Sequence, residues 1–167
     1  RVMSITKNIS FSYKEYEGPE ELETEDQELI TSAKESAKMA YAPYSRFMVG
    51  AAIRLESGRI VHGSNVENAA FPSGICAERT AIAWAVSNFP NDKPVAIAIA
   101  AITREGLAAE SVSPCGNCRQ VIAEEEARTG KKIRIILAGK TRIQVLESIG
   151  PLLPLQFSGK SLRADHP

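Results

Sequence analysis

Cys76-Ala77-Glu78-Arg79-Thr80-Ala81-Ile82-Ala83-Trp84-Ala85-Val86, followed closely by Val95-Ala96-Ile97-Ala98-Ile99-Ala100-Ala101-Ile102, is the stretch that decides the fold. From Ala77 to Val86 the chain is apolar on nearly all sides, as in a helix largely buried within a domain. Residues 95–102 form an unbroken apolar run, as in a strand covered on both faces. A buried helix feeding a doubly covered strand indicates an α/β domain with helices packed on a sheet.

The flanking segments extend this pattern in both directions. Residues 48–55 and 59–66 are apolar and β-prone, and Glu56-Ser57-Gly58 between them suits a hairpin. Upstream, Thr24 and Gln27 have capping-box spacing, with Glu25 and Asp26 in the favoured first turn. Leu29, Ile30, Ala33, Ala37, Ala40 and Tyr41 then recur at helical spacing, which predicts a helix over 25–41 ended by Pro43. Downstream, a helix is predicted from Cys118 to about residue 128, with Gly130 at its stop and Glu124-Glu125-Glu126 as a solvated face. Residues 133–138 and 143–145 read as short strands and 148–153 as a last helical turn. The order is α-β-β-α-β-α-β-β.

The ends are less regular. Ile9, Phe11, Tyr13 and Tyr16 permit a short strand, and the acidic stretch 15–26 with Gly18-Pro19 reads as a loop. Residues 1–24 therefore form an N-terminal extension, either an edge strand or a flexible arm. Residues 25–157 form the main domain, and 158–167 a tail without signal.

A length of 167 residues suits one domain. A chain of this size buries about 70% of its unfolded surface and needs no disulfide staples. Twenty basic and twenty acidic residues leave a formal net charge of zero, so there is no basic excess to hold a phosphate backbone. No apolar run approaches the length of a membrane span. The N-terminus lacks an apolar signal core and opens at Arg1 rather than Met, as a trimmed chain does. Three cysteines cannot complete a disulfide framework, and without a secretion signal they read as reduced cytoplasmic thiols.

The placement of those thiols is specific. Cys76 opens one predicted helix, and Pro114-Cys115-Gly116-Asn117-Cys118 opens another. Three thiolates leave one tetrahedral zinc position open, as catalytic sites require, whereas structural sites are normally closed by four protein ligands. His62 and His166 are the other candidate ligands, and neither has ligand-like spacing. A structural zinc, or a redox pair beside an unrelated thiol, are the competing readings. Glu78, two residues past the first cysteine, suits general acid–base work beside a metal; its other reading is a helix N-terminal Glu favoured by the dipole. Cys-x-Glu followed by Pro-Cys-x-x-Cys is the all-cysteine version of the zinc nucleobase deaminase signature. Both ligand segments lie near helix N-termini, which stabilise thiolates. Arg79 and Arg119 adjoin them and could donate to sulfur, although either also reads as surface charge.

Five ordered motifs then resemble the small, homotetrameric, all-cysteine cytidine deaminases. They are Ala40-Tyr41-Ala42-Pro43-Tyr44-Ser45-Arg46-Phe47 with Val49-Gly50-Ala51-Ala52; Asn65-Val66-Glu67-Asn68; Cys76-Ala77-Glu78-Arg79-Thr80-Ala81; Ser113-Pro114-Cys115-Gly116-Asn117-Cys118-Arg119-Gln120; and Leu152-Leu153-Pro154-x-x-Phe157. The resemblance implies a three-layer α/β/α fold with a central mixed sheet of about five strands. It implies Zn2+ held by Cys76, Cys115 and Cys118, with Glu78 as proton shuttle. It sets Asn65 and Glu67 on the sugar hydroxyls; an amide and a carboxylate two apart on a strand share a face. Phe47 is expected to line the nucleoside pocket, the backbone at Ala77 to bond the pyrimidine edge, and Arg79 to bond the thiolates. Phe157 is expected to reach the base bound by a neighbouring subunit. Phe71 departs from the Tyr that many relatives carry.

The implied reaction is hydrolytic deamination of cytidine and 2′-deoxycytidine, a step of pyrimidine salvage. The partners expected are a small nucleoside and further copies of the chain, with neither nucleic acid nor membrane. The rival readings are a deaminase of a modified or aminoacylated cytosine nucleoside, and a non-catalytic zinc or nucleoside-binding protein.

Overall fold

Alternation along one strand builds two cores at once. The computed structural model describes residues 3–162, so His166 and the end of the tail lie outside the described residues. In the strand Pro94–Thr103, Ile97 and Ile99 face one side of the sheet while Ala96, Ala98 and Ala100 face the other. The elements are β1 (Lys14–Tyr16), α1 (Thr24–Ala37), β2 (Met48–Leu55), β3 (Ile60–Ser64), α2 (Ala77–Asn88), β4 (Pro94–Thr103), β5 (Gly106–Leu107), α3 (Gly116–Thr129), β6 (Arg134–Ala138) and β7 (Ile143–Leu146). The sheet runs β1-β7-β6-β4-β2-β3, with β5 paired to the end of β4. Among the strands of the described residues, β4 and β6 pair in parallel, joined through α3, and the other strand pairs are antiparallel.

Isoleucine-rich positions of β2, β4 and β6 meet Ala77, Ala81, Ile82 and Ala85 of α2 and Ile122 and Ala123 of α3. The opposite, alanine-rich face meets Leu29, Ile30 and Ala33 of α1. These are the three layers of the expected α/β/α class. The sheet is larger than the five strands expected. One addition is β1, whose register puts Lys14 opposite Val145 and Tyr16 opposite Ile143. The other is β5, two residues long and too short to leave a periodic signal. Residues 3–13 precede β1 without regular secondary structure, and Met3, Ile5, Ile9, Phe11 and Tyr13 are exposed.

Several local expectations are corrected. The Thr24–Gln27 capping box does not form: Glu23 is the N-cap, and the Gln27 amide donates to Leu22 O at 2.9 Å. Helix α1 ends at Ala37 rather than 41, because Tyr41 is drawn into a parallel bridge with Val66. Helix α2 is buried along one face only. Trp84 is 54% exposed, beside a recess it lines with Ile60–His62 of β3, since the 3.6-residue period turns one side of an Ala-rich helix outward whatever its composition. The Glu124–Glu126 run is not uniformly solvated. Glu125 is buried and paired with Arg128 at 2.6 Å, and Glu126 Oε1 accepts the backbone N–H groups of Ile133 and Ile149.

Close approach sets where the helices start. A Cβ on Gly63 would lie 2.6 Å from the Ala81 nitrogen, so the missing side chain lets the first turns of α2 lie against β3. That contact brings Cys76 and Glu78 beside the loop that leaves β3.

Candidate active site

Cys76 is the N-cap of α2 and Cys115 the N-cap of α3. Both residues are extended, and the helices begin immediately after them, so the sulfurs stand at two positive helix ends that favour thiolate. Cys118 lies within the first turn of α3, and its backbone N–H donates to Cys115 Sγ at 3.4 Å. The three sulfurs all fall within 4.8 Å of one another, at 3.8 Å for Cys76–Cys115 and 3.3 Å for Cys115–Cys118. Four-coordinate zinc with thiolate bonds near 2.3 Å requires sulfurs about 3.8 Å apart, so the donor set and its spacing fit zinc. Cys118 is buried, Cys76 half-buried and Cys115 exposed, which leaves one side of the cluster open.

Ionisation of Cys76 and Cys118 is opposed without a cation. Burial, reinforced by the nearby Glu78 charge, pushes the Cys118 thiol far up. Burial likewise raises Cys76. It acts upward on Cys115 too, but the Cys118 N–H, the neighbouring thiols and the Asn117 N–H outweigh it and bring that thiol below its ordinary value. Glu78 is only 4% exposed, and burial raises its carboxyl against the opposing pull of backbone and Cys118 hydrogen bonds. A divalent cation among the sulfurs would offset this concentration of negative charge, as the chemistry of a thiolate site requires.

Arg119 does not serve the sulfurs. Its Nε donates to Pro114 O at 2.8 Å and its Nη1 to Leu152 O at 2.9 Å, so it ties the segment carrying Cys115 to the chain's end. Among the described residues no hydrogen bond joins the half-buried Arg79 to sulfur, and His62 is exposed on β3, apart from the cysteine cluster.

Beside the cysteines lies a cleft of about 540 Å³ lined by Tyr44, Ser45, Asn65, Glu67, Phe71, Ile75 and Cys76, among others. Two loops zip together to form its wall. Tyr41 N donates to Asn65 O, Glu67 N to Tyr41 O, and Asn65 N to Val49 O. The Asn65 side chain accepts from Val49 N at 2.8 Å and donates to Phe47 O at 3.0 Å, so it also orders the start of β2. The Glu67 carboxylate accepts from Tyr44 N at 2.8 Å, from Ser45 N at 3.2 Å and from the Ser45 hydroxyl. The Ser45 hydroxyl is the main cause that holds Glu67 below its ordinary value of 4.5; desolvation pulls it upward, and the Tyr44 and Ser45 amides add to the lowering.

Cys76, Asn65 and Glu67 thus share one cleft. Phe47 lines an adjoining recess with Tyr44 and Ser45. Ala77 is fully buried at the start of α2. Phe157 stands outside the cleft, 59% exposed, with its carbonyl held by Gln120 Nε2 at 3.1 Å. Phe71 is 74% exposed and meets Tyr44 edge-on at 5.8 Å between centroids. Sequence reasoning missed Ser45 as a partner of Glu67. Twenty-two residues separate the two, and only the antiparallel return of β3 beside β2 brings them together.

Residues 23–131 match the family described as the cytidine and deoxycytidylate deaminase zinc-binding region. The chain is 50% identical over 98 residues to a cytidine deaminase of Sporosarcina psychrophila, covering 59% of this chain and 68% of that protein. It is 35% identical over 136 residues to a probable cytidine deaminase of Dictyostelium discoideum, covering 81% of this chain and 85% of the other. Its fold is similar to the crystal structure of a cytidine deaminase from Burkholderia pseudomallei, with a TM-score of 0.66 and 38% identity over 78% of this chain and 97% of that one.

Proposed function

The chain belongs to the cytidine and deoxycytidylate deaminase family, and on that premise we propose that it hydrolyses cytidine and 2′-deoxycytidine to uridine and 2′-deoxyuridine with release of ammonia. The observation that carries this reading is the three-sulfur cluster whose Cys76 lines the cleft where Asn65 and Glu67 stand, with buried Glu78 two residues past Cys76.

Cys76, Cys115 and Cys118 would hold zinc, which when bound supplies Lewis acidity and water activated near neutral pH. Glu78 takes a proton from the attacking water and delivers it to N3 of the pyrimidine, making C4 more electrophilic. As the tetrahedral C4 carbon collapses, the same carboxylate takes the proton of the new C4 hydroxyl and gives it to the departing amine, leaving the C4 carbonyl and ammonia. Burial raises the Glu78 carboxyl above its ordinary value, which makes it a better proton acceptor than an exposed carboxylate. Asn65 and Glu67 hold the sugar hydroxyls, Phe47 lines the nucleoside's apolar side, and the backbone at Ala77 bonds the pyrimidine edge. Arg79, in the first turn of α2, would act on the thiolates through its charge, since among the described residues no hydrogen bond joins it to sulfur.

Phe157 closes the site of a neighbouring copy in a homotetramer. Exposed Trp84, Phe71, Leu155 and Phe157 support a multimer, since each leaves a large apolar surface uncovered in one chain. Zero net charge favours a free nucleoside over a polymer. Three thiolates must remain reduced, as they do in the cytoplasm.

Ammonia release from cytidine, measured before and after zinc chelation and again after zinc is restored, tests the reading. Activity that disappears and returns with the metal supports it. Full activity in metal-stripped protein refutes it.

A further inference from the structure

Glu67 has four lone-pair positions when ionised. Two on Oε2 are taken by the Tyr44 and Ser45 amides, and one on Oε1 by the Ser45 hydroxyl. The hydroxyl is itself aimed: Ser45 Oγ accepts the Phe47 N–H at 3.0 Å, so its hydrogen is left for Glu67. One acceptor position on Oε1 remains, on a carboxylate that lines the cleft.

The loop supplying these donors is held in an unfavourable shape. Arg46 has φ 58°, in the left-handed region that a side chain disfavours, and its N–H closes back onto Ala42 O at 3.0 Å. Such strain persists where surrounding contacts over-determine it, and here the Glu67 carboxylate receives both amides that the turn brings forward.

We infer that Ser45 is a positioning residue for sugar recognition, its hydroxyl fixing the Glu67 carboxylate so that a single directed acceptor faces the 2′,3′-hydroxyl edge of the nucleoside. This rests on the reading of Glu67 as the sugar-binding carboxylate. Without the hydroxyl, Oε1 has two open positions and the carboxylate is free to turn about its last torsion. The loss then falls on binding of a hydroxylated sugar rather than on chemistry at C4.

The experiment compares cytidine with 2′,3′-dideoxycytidine in the parent, Ser45→Ala, Ser45→Thr and Glu67→Ala. Ser45→Ala is expected to raise KM for cytidine about tenfold with kcat within about twofold, the size of one hydrogen bond to a charged group. On dideoxycytidine it should match the parent, and Ser45→Thr should restore cytidine binding. Equal losses on both substrates, or no loss on cytidine, overturn the inference. If Ser45→Ala does not fold, Ser45→Cys keeps the side chain's size with a weaker donor and must show the same selective loss. Glu67→Ala separates the two layers. If its loss is also equal on both substrates, the sugar-binding reading of Glu67 itself falls, and the inference falls with it. If Glu67→Ala is selective while Ser45→Ala is not, only the role of Ser45 is lost.

Discussion

The Arg119 guanidinium grips the carbonyl of Pro114 at 2.8 Å, one residue ahead of Cys115. Its other arm reaches Leu152 O, so one planar fork fixes both the thiol-bearing turn and the approach to the C-terminal tail. Arg119→Ala should leave the fold intact but cost about 1–3 kcal/mol of stability. Zinc affinity should fall about tenfold, as when an outer support of a ligand segment is removed. Arg119→Lys should not recover both, since an ammonium cannot span two carbonyls in that geometry. Zinc release to a chromogenic chelator measures the effect, and parent-like release from the alanine variant would count against it.

Glu78→Gln keeps shape and removes the exchangeable charge. Retained zinc is expected with a fall in kcat of at least about 10²–10⁴-fold, because the residue moves protons and is not a ligand. Cys76→Ala should lose both metal and activity, since two thiols remain from a set of three. Metal analysis beside ammonia release distinguishes the two variants. Near-normal turnover in Glu78→Gln would overturn the proton-shuttle role.

The layers and the three-cysteine cluster were legible in the sequence because each is a local pattern. Residues 95–102 read as a doubly covered strand, and Gly58 and Gly130 mark turns that both adopt positive φ. The cysteines were legible through their spacing at helix starts. What escaped depends on contacts between distant segments. Tyr41 fits the α1 period, yet its backbone is claimed by Asn65 and Glu67, so the helix stops early. Trp84 sits in an apolar helix whose outer face has no partner within one chain. Ser45 belongs to a polar loop until β3 returns beside β2 and delivers Glu67 to it.

Glu67 makes a prediction with a definite sign. Its carboxyl lies below the ordinary 4.5, chiefly through the Ser45 hydroxyl, so the folded protein prefers the ionised form. The stabilisation is therefore present above the unfolded-state value and disappears as pH falls through the lower folded-state value. KM for cytidine should stay flat from pH 7 down to about 5 as far as this group is concerned. In Ser45→Ala the acid rise in KM should begin at higher pH than in the parent. Steady-state kinetics carried from neutral pH to below the ordinary carboxyl value, with dideoxycytidine as control, measure the shift. Identical acid limbs in the two proteins would contradict it.

Glu126 shows why a run of like charges can hide a structural role. Its Oε1 accepts Ile133 N at 2.9 Å and Ile149 N at 3.1 Å, holding the start of β6 and the base of the tail together. Both isoleucines are buried, so water cannot readily replace the carboxylate. Glu126→Ala strands two buried amides and should cost about 2–4 kcal/mol. Glu126→Gln keeps a carbonyl oxygen at the same place and should cost less. Exposed Glu124→Ala should be neutral within about 0.5 kcal/mol. Urea denaturation reads this directly: the midpoint drops in the order alanine, then glutamine, while the slope is unchanged if the unfolded surface is the same. Equal midpoints for Glu126→Ala and Glu124→Ala would show that the carboxylate is an ordinary surface charge. A larger loss places it as the strut on which the Leu152–Phe157 segment, and with it the proposed reach into a neighbouring site, depends.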